Sequence, residues 1–338
     1  MDVGFRNRRQ FLRGGLGLAG LGLLAGCQIP HLPWQAAKVP RIGFLAEGSR
    51  EGRAFLVEGF LQGLREHGYV EGESILIEYR FSEDRDDRLP ELAAELVGLK
   101  VDLIVASGTP ASFAAKQATA TIPIVTGSVA ADPVETGLVA SLARPGGNIT
   151  GMTSMSTQLS AKRLQVLKEI VPGLSRVAVF WNPTNPTYGP VLRELDEAGR
   201  TLGLELLRLE VRVPEDFEGA FAAAARQRAG ALYGPGDPLV TNRPKMLADL
   251  ALRHRLPVLL NFKEFVEAGG LMSLGADLAD NYRRSAAHVD KILKGAKPAD
   301  LPIEQPTKFE LAVNLKASQA LGLTTPQSVL QQATEILQ

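Results

Sequence analysis

Several places in the sequence carry a residue that commonly caps helices immediately before a proline. Among them are Thr109-Pro110, Asp132-Pro133, Asn182-Pro183, Asn185-Pro186 and Asp237-Pro238. A side-chain oxygen at the N-cap position and a proline at the first helical position both favour a helix start. A helix start presents free backbone N–H groups and a positive partial charge, so it can bind an anionic group. Each pair therefore predicts a helix N-terminus and a candidate site for a charged small molecule.

The loops around these pairs carry groups that would complement a zwitterion. A carboxylate group could lie against the helix start at residues 107–111 or beside Ser128, which follows the next apolar strand. An ammonium group needs a carboxylate, for which the candidates are Asp132, Asp237, Glu264 and Asp277. We favour Asp237, because its loop, with Gly234 and Gly236 before it, brings backbone and side chain close to the cleft. Asp132 would repel an anion bound at the neighbouring helix start.

Aromatic residues near the same loops are candidates for stacking on an apolar ligand. Phe262 is preferred by its position beside the Lys263-Glu264 turn, and Tyr188 is next because it follows the two Asn-Pro pairs. The full set of candidate ligand-binding residues is Ser49, Ser107, Thr109, Ser128, Asn182, Asn185, Tyr188, Asp237, Phe262, Glu264 and Asp277. Each of these residues also has a purely structural interpretation. The polar residues would then only cap helices, each cap stabilising the fold by about 1 kcal/mol, and the aromatic rings would belong to the core.

Residues for catalysis or metal binding are not found in a recognisable pattern. The four histidines are scattered and lack the spacing of metal ligands. No G-x-S-x-G elbow, P-loop or H-E-x-x-H motif occurs in the sequence. We therefore predict no catalytic residue, no metal and no cofactor. An α/β hydrolase or transferase acting on a small carboxylate, or an exported small-molecule sensor domain, remain the alternative functions.

The elements that would position these residues alternate between strands and helices. Residues 101–106 form a short, β-branched apolar run, a helix is predicted from Thr109 to about residue 119, and residues 122–125 form a second apolar run. This βαβ pattern predicts a parallel sheet covered by helices. A further helix is predicted to begin at Asp132-Pro133 and to extend to about residue 142.

The second half of the chain repeats this plan, with a strand predicted over 176–181 and a long helix over 278–293. The predicted fold class is therefore α/β, with two doubly wound parallel-sheet lobes joined by a hinge. The first lobe is expected to contain residues 40–150 and about 271–304, and the second residues 151–270 and about 305–338. A ligand is expected in the cleft between the lobes, at the carboxyl ends of the strands.

The first 27 residues are typical of an export signal. Arg8-Arg9 and neighbouring arginines precede an uncharged, Gly/Leu-rich run over 14–26 that is too short for an ordinary membrane span. The run ends in Leu24-Ala25-Gly26-Cys27, which is similar to a bacterial lipoprotein cleavage site, and the arginine pair is similar to a twin-arginine signal. We expect Cys27 to be lipidated and residues 28–39 to tether the folded part to a membrane.

Composition excludes several classes of protein. The chain has 338 residues, a net charge of zero and one cysteine. The balanced charge gives no basis for nucleic-acid binding, and a single cysteine excludes intrachain disulfides. We expect a monomer, and the length predicts two domains of about 150 residues each.

Several separate segments, in the same order, resemble those of a known family. From Lys38 to the C-terminus the chain resembles the TrpX-like substrate-binding lipoproteins of ABC transporters. The matching segments are 60–66 (FLQGLRE), 68–72 (GYVEG), 106–110 (ASGTP), 138–150 (LVASLARPGGNIT) and 265–272 (FVEAGGLM). The resemblance implies the type I periplasmic-binding-protein fold. It also implies capture of a small solute outside the cytoplasm, with amino acids, the aromatic ones included, as the expected class, and its delivery to ABC permease subunits in the membrane.

Overall fold

The computed structural model describes residues 38–185 and 188–338, and residues 39–338 form one compact unit. The predicted export signal, Cys27, the first ten residues of the predicted tether and Pro186 lie outside the described residues. No helix in the described part of the chain is long and apolar enough to cross a membrane.

Strands and helices alternate along most of the described chain. The strands β1 to β13 are Arg41–Ala46, Leu76–Phe81, Leu103–Ser107, Ile124–Val129, Ile149–Thr153, Arg176–Trp181, Glu205–Glu210, Ala231–Tyr233, Val258–Leu260, Met272–Ala276, Ile303–Glu304, Phe309–Asn314 and Glu335–Leu337. The helices α1 to α12 are Ala54–Glu66, Leu89–Gly98, Gly108–Ala118, Ser160–Ile170, Tyr188–Leu202, Asp216–Arg226, Pro238–Thr241, Pro244–Arg253, Glu264–Glu267, Leu278–Leu293, Leu315–Ala320 and Gln327–Gln332. Short 3₁₀ helices cover Asp86–Arg88, Thr157–Leu159 and Pro298–Asp300.

The strands form two sheets, which confirms the predicted α/β class. The first sheet has six strands in the order β11-β5-β4-β3-β1-β2, all parallel. The second has seven strands in the order β13-β12-β10-β9-β8-β6-β7, and only the β10–β12 pair is antiparallel. Helices cover both faces of each sheet, so successive strand residues enter different cores. In β1, for example, Phe44 and Leu45 belong to separate buried clusters.

The chain crosses between the sheets at positions that differ from the predicted boundaries. The expected break after residue 150 falls inside β5, which pairs with β4 up to Thr153 in the first sheet. The expected return at about 271 assigns β10 to the first lobe, whereas β10 pairs with β9 and β12 in the second sheet. A short apolar strand such as β10 is compatible with either core, so only its pairing partners decide where it belongs.

Two glycines allow close packing between helices of the first lobe. Helix α10 packs along α1, and a Cβ atom at Gly59 or Gly63 would lie 2.5 Å from the Ala279 carbonyl oxygen or 2.0 Å from that of Arg283. A side chain at either position would therefore separate the helices. This contact holds the start of α10 at the edge of the cleft.

The predicted helix start at Asp132-Pro133 is wrong, because residues 132–142 form turns rather than a helix. The Asp132 carboxylate accepts hydrogen bonds from the backbone N–H groups of Val134 and Glu135, at 2.7 and 3.1 Å. The side chain therefore caps a local turn, which is a common alternative for an Asp-Pro pair.

The start of α3 also differs from the prediction by a small shift. Ser107 occupies the N-cap position, two residues before the predicted Thr109. The Thr109 hydroxyl instead accepts a hydrogen bond from the N–H of Ala130, at 3.3 Å. It thus joins the start of α3 to the end of β4, at the edge of the sheet that faces the second lobe.

Candidate functional site

A cleft of about 470 Å³ lies where loops from the carboxyl ends of both sheets meet. The first lobe contributes Arg53, Thr109, Ser128 and Tyr282 to its lining, and the second contributes Asn185, Asp237 and Asn261. Four of the predicted ligand-binding residues therefore line one cavity: Thr109, Ser128, Asn185 and Asp237. Apolar groups, among them Leu56 and Leu278, complete the wall.

Asp237 is a buried carboxylate on the second-lobe side of this cleft, with 1% of its surface exposed. It is the N-cap of α7, and its Oδ1 accepts from the N–H of Leu239 at 2.9 Å, as its Asp-Pro pair predicts. Its Oδ2 accepts from the side-chain amides of Asn185 and Asn182, at 2.9 and 3.5 Å. Burial raises the pKa of Asp237 from 3.8 to about 6, against the opposing effect of these hydrogen bonds.

The charge of Asp237 is not balanced by a basic side chain within the described part of the chain. The nearby Asp86, another acidic group, raises its pKa further. A buried carboxylate that has amide donors but no counter-ion is suited to bind a cationic group of a ligand.

Glu47 occupies the helix start where the sequence predicted a bound carboxylate. It follows β1, is fully buried, and its Oε1 accepts from the N–H of Ala111 in the first turn of α3, at 2.9 Å. A Cβ atom at Gly108 would lie 2.8 Å from both Glu47 carboxylate oxygens. The protein's own carboxylate therefore takes the position against Ala111 that the prediction assigned to the ligand. Burial raises the pKa of Glu47 to about 7, although Arg53 opposes that rise.

Arg53 is the positively charged group of the cleft lining. It precedes α1, is 5% exposed, and donates from Nε to the Glu47 carbonyl oxygen at 3.1 Å and from Nη2 to the Glu47 carboxylate at 3.4 Å. These contacts fix one edge of the guanidinium. A planar guanidinium held in this way can still donate to a ligand oxygen from its remaining N–H groups.

Asn261 follows β9 and supplies an acceptor that the sequence did not single out. Its side chain is 6% exposed and lines the cleft, and its Oδ1 has no hydrogen-bond partner among the described groups. The adjacent Phe262, predicted to stack on the ligand, lies instead in the hydrophobic core of the second lobe. The chain bends at residues 261 and 262 after β9, and the neighbour of the predicted residue, not the residue itself, faces the cleft.

The remaining predicted residues lie around the cleft or away from it. Ser107 is buried and its Oγ accepts from the Tyr282 hydroxyl at 2.5 Å, so it orients a residue of the cleft wall. Asn182 holds Asp237, and Ser49 accepts from the N–H of Gly52 in the loop before α1. Tyr188 lines a separate small cavity beside the cleft.

Glu264 and Asp277 are not in the cleft lining. Burial raises the pKa of Glu264, at the start of α9, to about 7. Asp277 is the N-cap of α10 and accepts from the N–H of Asp280 at 2.9 Å, in a polar hollow of its own. Their proximity in sequence to strand ends therefore does not place them beside Asp237.

Neither Glu47 nor Arg53 was among the predicted site residues. Glu47 had a usable signal, because it comes directly after an apolar strand, as Ser107 and Asn182 do. Arg53 and Tyr282 had none, since each reaches the cleft only through the packing of its helix. Within the described residues, no group of three or more His, Cys, Asp and Glu side chains is placed to hold a metal ion.

Comparisons with known proteins agree with this architecture. A model of the ABC transporter substrate binding protein family matches residues 42–337. A tyrosine-binding protein of Clostridioides difficile (strain R20291) is 27% identical over 267 residues, which cover 79% of this chain and 76% of that protein.

Two solved structures have the same fold. An ABC domain from Streptococcus pneumonia, in complex with L-Trp, has a TM-score of 0.81 at 24% identity and covers 88% of this chain and 99% of its own. A ligand-free, open substrate-binding protein with adhesive properties from Clostridium difficile has a TM-score of 0.62 at 25% identity, with coverages of 88% and 99%. From the family match over nearly the whole described chain, this protein belongs to the ABC transporter substrate-binding protein family.

Proposed function

We propose that this protein captures an amino acid with an aromatic side chain outside the cytoplasm and delivers it to the permease of an ABC importer. The observation that carries the proposal is the pair of buried charges in one cleft, Arg53 from the first lobe and Asp237 from the second. A free α-amino acid carries one carboxylate and one ammonium group, so it complements both. Asn261 adds an acceptor for a second N–H of the ammonium group.

The charge of the cleft favours a ligand that brings a positive group. Asp86 is close enough to Glu47 and Asp237 to raise the pKa of each, and burial raises its own pKa. Three acidic groups, Glu47, Asp86 and Asp237, therefore influence one another, whereas Arg53 is the only basic residue among the described residues that line the cleft. An anion without an ammonium group, such as a simple organic acid, would meet this excess of negative charge and bind poorly.

An aromatic side chain is supported by the walls of the cleft and by two relatives. Leu56, Leu278 and the ring of Tyr282 supply apolar surface next to Arg53. One relative is a tyrosine-binding protein, and the solved structure with the higher TM-score contains L-Trp. Aromatic rings would bury a large apolar area against such a wall.

Ligand capture is expected to proceed by closure of the two lobes. Contacts across the cleft mouth support a closed arrangement in the described structure: Arg243 of the second lobe pairs with Asp84 of the first, and Arg193 pairs with Glu135. The higher TM-score to the L-Trp complex than to the open, ligand-free relative is consistent with this arrangement. Closure would bury the ligand, and a permease that favours the open form would release it.

The N-terminal segment completes the proposal. We expect export through the signal in residues 1–27, lipidation at Cys27 and tethering by residues 28–39. Mass spectrometry of the membrane-associated protein tests this, because Cys27→Ala would abolish the lipid-modified N-terminal peptide. An enzyme acting on a small carboxylate is less well supported, since the described residues that line the cleft include no histidine or cysteine.

Isothermal titration of the purified protein with the common amino acids and with small organic acids tests the central proposal. We expect saturable binding of at least one aromatic amino acid and none of its decarboxylated or deaminated analogues, because each analogue lacks one of the two charges. A ligand in hundredfold excess over its dissociation constant would also stabilise the protein by about 2.7 kcal/mol. Equal binding of the deaminated analogue would remove Asp237 from the site.

A further inference from the structure

One side-chain contact joins the two segments that carry the charges of the cleft. Asn242 is the C-cap of α7, the four-residue helix that begins after Asp237. Its side chain lies against Gly48, in the loop between β1 and Arg53. A Cβ atom at Gly48 would lie 1.9 Å from Asn242 Nδ2 and 2.7 Å from Asn242 Cγ. The second lobe therefore touches the first directly at this pair of residues.

The side-chain amide of Asn242 has no hydrogen-bond partner in the part of the chain that the structure describes. Its Nδ2 and Oδ1 atoms are both buried, and neither makes a hydrogen bond. The backbone groups of Gly48 are engaged within the first lobe, where its N–H donates to Ser82 Oγ at 3.0 Å and its carbonyl oxygen accepts from the N–H of Glu83 at 2.9 Å. A buried polar group without a partner loses its hydrogen bonds to water and gains none in return. The amide is therefore in an unfavourable environment when the lobes are in contact.

This unfavourable contribution applies only while the lobes are in contact. Hinge opening would move the Asn242 side chain away from Gly48 and expose both amide atoms to water. A hydrated side-chain amide makes hydrogen bonds through its two N–H groups and its oxygen. Because the amide is satisfied in the open form and unsatisfied in the closed form, it favours opening.

The next residue in the chain acts in the opposite direction. Arg243 pairs with Asp84 of the first lobe, and its Nη1 donates to the carbonyl oxygen of Leu239 at 3.0 Å, which holds the guanidinium in place. An ion pair at the edge of the cleft favours the closed form modestly. Asn242 and Arg243 thus make an unfavourable and a favourable contact side by side, and the two contributions offset each other.

Helix α7 links this contact to the ligand site. Asp237 and Asn242 cap its two ends, which are a single turn apart. A zwitterion bound between Asp237 and Arg53 would draw α7 towards the loop that contains Gly48. The movement that completes the site therefore also buries the Asn242 amide.

We propose that Asn242 keeps the ligand-free protein open and promotes ligand release, because closure buries its amide without providing a partner. This inference rests on the proposed function, since it requires closure around a ligand. Asn242 is not among the residues that line the cleft, so it is a positioning residue that acts through the separation of the lobes. An apolar residue of similar shape at this position should therefore strengthen ligand binding, whereas loss of a structural contact would weaken it.

Small-angle X-ray scattering, together with isothermal titration with L-tyrosine and L-tryptophan as probes, tests this inference. We expect the radius of gyration of the wild type to decrease when a probe is added in excess. In Asn242→Leu we expect a smaller radius of gyration than in the wild type before any probe is added, and probe affinity about five- to thirtyfold higher. Asn242→Ala also removes the amide and should change both quantities in the same direction, by a smaller factor.

Asn148→Leu is the matched control for these variants. The Asn148 amide is paired within the first lobe, where it donates to the carbonyl oxygens of Thr119 and Ile122, at 3.0 and 2.9 Å. Loss of this paired amide should lower the free energy of unfolding. It should leave the radius of gyration and the probe affinity unchanged, since Asn148 is not in the cleft lining.

The two measurements separate this inference from the function on which it rests. Unchanged or weaker probe affinity in folded Asn242→Leu and Asn242→Ala would overturn the inference and leave amino-acid capture in place. A ligand-free wild type as compact as these variants would overturn it as well. If neither probe binds to the wild type, the proposed function fails, and the scattering of the ligand-free proteins still decides whether Asn242 favours the open form.

Discussion

Replacement of Asp237 by asparagine separates the ligand-binding role of this residue from its structural role. Asparagine retains an oxygen that can accept from the N–H of Leu239, so the cap of α7 is preserved. The negative charge is lost, and with it the attraction to a ligand ammonium group. Removing one partner of a buried charge pair costs about 3 kcal/mol, which corresponds to roughly a hundredfold loss of affinity.

The same substitution is expected to stabilise the protein when no ligand is bound. Burial raises the pKa of Asp237 from 3.8 to about 6, and this difference corresponds to about 3 kcal/mol of unfavourable energy for the ionised form at pH 7. The neutral amide does not carry this cost, although its NH2 group replaces the oxygen that accepts from Asn185 and Asn182, which offsets part of the gain. We therefore expect the free energy of unfolding at pH 7 to rise in Asp237→Asn, by at most about 3 kcal/mol.

Two measurements on the same variant check both expectations. Isothermal titration gives the affinity for the amino acid bound by the wild type, and urea unfolding without ligand gives the free energy of unfolding. Asp132→Asn is the control, because its carboxylate also caps backbone N–H groups but is not in the cleft lining. Unchanged affinity in Asp237→Asn, with the fold intact, would refute the assignment of Asp237 to the ligand ammonium group.

Three further predictions follow from the same contacts. Burial raises the folded-state pKa of Asp237 to about 6 and that of Glu47 to about 7, so each contributes stability that is complete below pH 4 and is lost as the pH rises through its raised pKa. The unfolding free energy of the ligand-free protein should therefore increase as the pH falls from 8 to 5, while ligand affinity should decrease below about pH 6; parallel pH profiles would contradict this. Asp84→Asn removes an ion pair across the cleft mouth and so makes the closed form less favourable. Isothermal titration should show ligand affinity about two- to fivefold weaker. Gly63→Ala should cost about 1–3 kcal/mol in urea unfolding, because its Cβ would contact α10, whereas Gly219→Ala, where a Cβ meets no atom within 4 Å, should gain about 0.5–1 kcal/mol.

The local elements of the fold were predictable because they depend on neighbouring residues. The strand predicted over 176–181 and the helix predicted over 278–293 are both present, since their apolar spacing is set by the geometry of the element itself. Asp237 as a helix cap was predictable for the same reason, as its carboxylate and the N–H it binds are two residues apart.

Sequence alone could not decide which distant groups compete for the same position. Asp132 was expected to start a helix, but its side chain caps a turn in which the backbone finds other partners. The helix start of α3 was expected to hold a ligand carboxylate, but Glu47, from a neighbouring strand, already accepts from Ala111. A local pattern shows that a backbone N–H group has no hydrogen-bond partner within its own helix. Only the tertiary structure shows which group accepts from it.

The sequence by itself determined the alternation of strands and helices, the parallel sheets and the edge at which polar loops collect. The tertiary structure decided which strands belong to which sheet, as the pairing of β10 with β9 and β12 illustrates. It also placed Arg53 opposite Asp237 and left Asn261, rather than Phe262, facing the cleft. The physical reason is that secondary structure follows short-range periodicity, whereas a binding site requires groups far apart in the chain to meet, and their separation depends on the packing of all elements between them.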